Sequence, residues 1–110
     1  MAKEYFVKLS NLISQIDLKT ENPHIEIKHF FSGAAIYVNG KIRITLSPVG
    51  LAFKLPDEEV KALIKSGRAS HLKYFPQGNI KKGYALFETP DLTRTNHWKK
   101  YFLTSIQDKT

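Results

Sequence analysis

A chain of 110 residues should bury roughly 65% of its unfolded surface, enough for one core and too little for two, so a single domain spanning 1–110 is expected. Its 42% hydrophobic and 12% aromatic shares exclude a disordered chain, and the absence of cysteine removes disulfides, zinc thiolates and thiol nucleophiles. The net charge of +7 is uneven: through Ile64 there are eight basic and seven acidic residues, and from Lys65 onward nine and three, which suits an anionic partner or simply a solvated face.

Lys3 and Glu4 interrupt the opening residues, so no secretory signal is read there, and Ala2 stands where myristoylation needs glycine. No apolar run approaches the roughly 18 residues of a membrane span. A soluble, cytoplasmic protein without membrane contact is expected. Tyr5, Phe6, Leu9, Leu12, Ile13 and Ile16 then recur at steps of three and four, with Lys8, Ser10, Asn11 and Gln15 opposite them, which predicts an amphipathic helix. Asn22-Pro23 marks the connection that follows, because proline disfavours helix in the residue before it.

From Ile25 to Leu55 the helical spacing disappears and β-branched and aromatic residues dominate. Breaks at Ser32-Gly33, Asn39-Gly40 and Ser47-Pro48-Val49-Gly50 divide the stretch into four antiparallel strands, at about 25–31, 34–38, 41–46 and 50–55. Asn39-Gly40 suits a two-residue type I′ turn, since both residues tolerate positive φ. Regular pairing from that turn sets Val38 opposite Lys41, Tyr37 opposite Ile42, Ile36 opposite Arg43 and Ala35 opposite Ile44. Ala35, Tyr37, Ile42, Ile44 and Leu46 would then face the helices, leaving Ile36, Val38, Lys41, Arg43 and Thr45 on the outer face. Ile36, Val38, Lys41 and Arg43 are accordingly the expected surface for a protein partner or a second copy of the chain.

Pro56 to Gly67 reads as a short helix, with Asp57, Glu58 and Glu59 at its positive end, Val60, Leu63 and Ile64 as its buried stripe, and Gly67 as its stop. The acidic trio is explained by the helix dipole and is not read as a metal site. Leu72–Phe75 and Gly83–Glu88 look like two more strands around a loop over 76–82, and a last helix starts between Pro90 and Thr95. Trp98, Tyr101, Phe102, Ser105 and Ile106 form its inward stripe, with Lys99 and Lys100 toward water. Residues from Gln107 are expected to fray.

Catalytic patterns are missing. Gly78 and Gly83 bracket four residues, but Tyr84-Ala85 replaces the Lys-Ser or Lys-Thr of a phosphate loop. His24, His29, His71 and His97 make no metal-binding pair at i, i+4. Ser70-His71 are adjacent on an extended segment, where neighbours point to opposite faces. The basic residues Lys73, Lys81, Lys82, Lys99 and Lys100, with Arg94 and the aromatics Tyr74, Phe75, Tyr84 and Phe87 interleaved, give the alternative of a nucleic-acid contact through phosphate neutralisation and base stacking.

His29-Phe30-Phe31-Ser32-Gly33 followed by Ala34 to Lys41 resembles the N-terminal domain of the TfoX family of competence regulators, also called Sxy. Leu51 to Pro56, Ala69 to Pro76, Ile80 to Phe87 and Trp98 to Ile106 match further stretches in the family's order, while Phe30 and Ser32 replace its usual Met and first Gly. The resemblance implies an α+β fold, a two-layer α/β sandwich in the order α-β-β-β-β-α-β-β-α with an antiparallel sheet of about six strands. It also implies no known catalytic residues. Two-domain members act as transcriptional co-activators through partner proteins, and the match here covers their first domain. The expectation is a non-enzymatic regulatory or protein-interaction module with no catalytic residue, metal, cofactor or small-molecule substrate.

Overall fold

In the structure, a computed structural model that describes residues 2–15, 24–30, 33–73 and 80–107, helix α1 spans Ala2–Ser14. Its three-and-four spacing buries Leu9 and Leu12 and leaves Tyr5, Phe6 and Ile13 half-buried beside them. Strands β1 (Ile25–Phe30), β2 (Gly33–Val38), β3 (Lys41–Ser47) and β4 (Gly50–Lys54) follow, then α2 (Asp57–Lys65), β5 (Ser70–Leu72), β6 (Lys81–Phe87) and α3 (Thr95–Gln107). This is the expected α+β order. Ile16, Asn22-Pro23, Phe31, Ser32, Tyr74, Phe75, the loop through Asn79 and the tail beyond Gln107 lie outside the described residues.

The six strands form one antiparallel sheet in the order β1-β2-β3-β4-β6-β5. The first four strands meander, and β6 then slots between β4 and the short edge strand β5. At the β2–β3 corner Asn39 and Gly40 take φ of 52° and 82°, as a type I′ turn requires. The Asn39 N–H donates to the His24 carbonyl (2.8 Å) and its Oδ1 accepts from the His24 N–H (3.1 Å), tying the turn to the start of β1. Helix α2 stops at Gly67, φ 78°, where the Gly67 N–H donates to Ile64 and the Arg68 N–H to Leu63, a Schellman closure that satisfies two terminal carbonyls.

All three helices contribute to one core. Leu9 and Leu12 of α1, Val60 and Leu63 of α2, and Trp98, Tyr101, Phe102 and Ile106 of α3 meet Ile36, Ile44, Leu51, Phe53, Ala85 and Phe87 of the sheet. Five aromatic rings make its centre: Phe53 lies edge-on to Phe102 (5.2 Å) and Phe87 edge-on to Trp98 (5.0 Å), with Tyr101 5.5 Å from Phe53. Edge-to-face pairs of this kind add about 0.5–1.5 kcal/mol each beyond area burial. The Trp98 indole N–H donates to the Asp91 carbonyl (2.8 Å), fixing the approach to α3.

The register next to the Asn39-Gly40 turn departs from regular pairing. Val38 faces Lys41 and Tyr37 faces Ile42 as expected, but a bulge intervenes and Ile36 pairs with Ile44, Ala35 with Thr45 and Ala34 with Leu46. An extra residue on one strand inverts the alternation beyond it relative to its partner. Ile36 and Val38 therefore join Ile44 and Leu46 in the helix-covered core, while Ala35 and Tyr37 fall on the opposite face with Thr45. Two side chains secure the irregular stretch. Ser105 of α3, fully buried, donates to the Arg43 carbonyl (2.9 Å), and the Tyr84 hydroxyl reaches across β4 to donate to the Ile42 carbonyl (2.8 Å).

On the face away from the core cluster, Ala52, Leu72, Tyr84 and Leu86 form a second buried patch, with Val49 against it. Thr45 sits between Ala35 and Ala52 by register, 1% exposed, and its hydroxyl has no hydrogen-bond partner among the described residues. A buried unmet hydroxyl costs about 1–3 kcal/mol. Thr45→Val keeps the shape and removes that cost, so the variant should gain about 1 kcal/mol in urea denaturation at unchanged m value.

Candidate functional site

The outer-face surface expected from Ile36, Val38, Lys41 and Arg43 is not assembled. Ile36 is fully buried, Val38 and Arg43 are each 6% exposed, and Lys41 alone of the four stands in solvent, at the hairpin end. The bulge is the cause, because it turns the two aliphatic side chains toward the core beneath α1 instead of away from it.

The basic residues of the second half separate into two groups. Lys82 lies beside α2. Lys99 and Lys100 are exposed on α3, where the Lys100 ammonium sits over the Tyr101 ring (5.0 Å). Near them His97 packs its ring against Trp98 (4.6 Å). Partial burial of that ring holds the His97 pKa below the usual imidazole value, and the charges of Arg94, Lys100 and Arg68 push it the same way. Asp91 next to this cluster is held below the usual carboxylate range by the Thr93 hydroxyl (2.6 Å) and N–H (3.1 Å), both donating to its Oδ1. Lys73 is exposed just past β5, and Lys81 is the first residue of β6. Of the aromatics expected to interleave with these cations, Tyr84 and Phe87 are each 8% exposed, and Tyr74 and Phe75 lie outside the described residues. No group of three or more His, Asp or Glu converges on a metal-sized site among the described residues, and no helix there is long and apolar enough to cross a membrane.

A concavity of about 690 Å³ lies between α2 and the β5–β6 pair. Its lining combines apolar Val60, Ile64 and Ile80, the β6 residues Gly83 and Tyr84, and a rim of Lys61, Lys65, Lys82, His71 and Asp57. The helix builds one wall by periodicity. Val60 and Ile64 are one turn apart, and Asp57, Lys61 and Lys65 follow each other at i, i+4, i+8 on the adjoining stripe. The other wall depends on an irregularity. Gly83 has φ 84°, and the β5–β6 register breaks between His71 and Leu72, so that His71 pairs with Ala85 while Leu72 pairs with Lys81. That break sets Lys82 and Ile80 at the mouth of the cleft. Ile80 is 44% exposed, one of two large hydrophobic side chains in the described residues so open to water. Lys61, Lys65 and Lys82 make no ion pair among the described residues.

The lysines at 61 and 65 are missed when α2 is read only for its buried stripe. Their four-residue step beside Val60 and Ile64 was the available signal. Comparison with protein-family models, curated proteins and solved structures finds no match for the chain.

Proposed function

We propose that this protein is a non-enzymatic interaction module that receives a partner protein in the cleft between α2 and the β5–β6 pair. The observation that carries this reading is the coincidence around one concavity of an exposed isoleucine, a half-buried one and three lysines that make no ion pair among the described residues. Exposed apolar groups ringed by polar ones mark interaction surfaces more often than isolated hydrophobics do. The ordered resemblance to the TfoX N-terminal domain supports a regulatory role exerted through partner proteins, in transcription or competence.

A photo-reactive benzophenone side chain at position 80, compared with one at position 7, tests the site. Val7 on α1 is 48% exposed, so the two positions are matched in access and differ in surroundings. A discrete protein adduct should form from position 80 in a lysate of the source cells, be absent from position 7, and be lost in the Lys61→Glu/Lys65→Glu background. Equal labelling at both positions, or an adduct that disappears on nuclease treatment, would refute the reading, the latter in favour of nucleic acid.

A further inference from the structure

Resting on the cleft reading above, we infer that the occupant is an amphipathic acidic segment, with apolar side chains inserted between α2 and β6 and carboxylates paired to Lys61, Lys65 and Lys82. Size comes first. A cavity of about 150 Å³ holds a benzene ring, and this cleft, at about 690 Å³, has room for several aliphatic or aromatic side chains.

Charge then selects among apolar occupants. Lys61 and Lys65 are on the helix wall and Lys82 is on the strand wall, so cations flank the apolar floor from both sides. A neutral apolar segment would leave these ammonium groups unpaired beside desolvated surface. An acidic one pairs them. Asp57 gives the site a polarity: along α2 the stripe runs from one carboxylate to two ammonium groups over two turns, about 12 Å. The carboxylates of the segment therefore lie toward the Lys65 end, with neutral or basic residues beside Asp57. Ile80 lines the cleft yet is 44% exposed, so part of the apolar lining stays open to water, and a polypeptide covers that part more fully than a small carboxylic acid does.

The test is fluorescence anisotropy on the full chain with three short labelled peptides. They share the same Leu and Phe positions and carry Glu, Gln or Lys between them. The Glu peptide should bind at least about tenfold tighter than the others, the scale of two exposed ion pairs. Its affinity should fall with added salt and drop about tenfold in Lys61→Glu/Lys65→Glu, while that variant gains affinity for the Lys peptide. The gain is a signal that misfolding cannot imitate. Gln and Glu peptides binding alike, both weakened by Ile80→Ser, would overturn the acidic assignment and leave the cleft as the site. Peptide binding indifferent to both variants, or no binding at all, would sink the cleft itself. Displacement of the Glu peptide by dodecanoate or by a short single-stranded oligonucleotide at lower concentration than unlabelled Glu peptide would overturn the assignment in favour of that chemistry.

Discussion

Ile36→Asp should unfold the protein and not merely alter how it associates. Ile36 is fully buried between β1 and β3, pairing with Ile27 and Ile44, within the core cluster that α1 covers. Loss of its packing costs about 2–5 kcal/mol. Burying a carboxylate there adds several kcal/mol more, or forces it to protonate. Set against a total stability of about 5–15 kcal/mol, the sum is enough to abolish the native state. Near-UV circular dichroism and a urea transition report it directly: the variant should lose both the aromatic signal and the cooperative melt, while Lys41→Asp on the same hairpin leaves them intact. A folded Ile36→Asp with an unchanged midpoint would show that the residue faces solvent and that the bulged register is wrong.

That experiment bears on what could be read from sequence. Helix and strand identities follow from periodicity and from local turn chemistry, and the Asn39-Gly40 hairpin, the α2 stop at Gly67 and the inward stripe of α3 are all local signals. Face assignment is different. It depends on counting residues in twos from the turn, and a single bulged residue inverts the count on one strand relative to the other. Nothing in Ala34 to Leu46 announces that bulge, because its support comes from Ser105 and Tyr84, 62 and 42 residues from the carbonyls they hold. The cleft was half legible for the same reason. Its helix wall could be read from the steps between residues 57, 60, 61, 64 and 65. Its strand wall could not, since Lys82 and Ile80 arrive through a register break in β5–β6.

Gly50→Ala should be the most damaging of the single-methyl additions at turns. Gly50 opens β4 with φ 133°, a conformation that costs a side-chain-bearing residue roughly 1–3 kcal/mol. A Cβ there would also press on the carbonyl of Phe87, at the end of β6, and on the Glu88 backbone. Backbone atoms cannot swing aside as a flexible side chain would, so β6 must shift and loosen the Phe53–Phe87 contact. A loss of about 3 kcal/mol or more is expected in urea denaturation. Gly40→Ala is the comparison: φ is 82°, but open space surrounds the new methyl, and only about 1–2 kcal/mol should be lost. Equal losses would mean that conformation alone matters and that β4 and β6 do not approach so closely.

Trp98 is the chain's only tryptophan, and its indole is held against one ring from the four-strand meander and another from β6, which pairs with the meander's last strand. Its emission is consequently an intrinsic gauge of whether those two parts of the molecule are joined. Detachment of β6 would dim or shift that light even while the meander stays whole, letting a partial opening be told apart from complete collapse without any label.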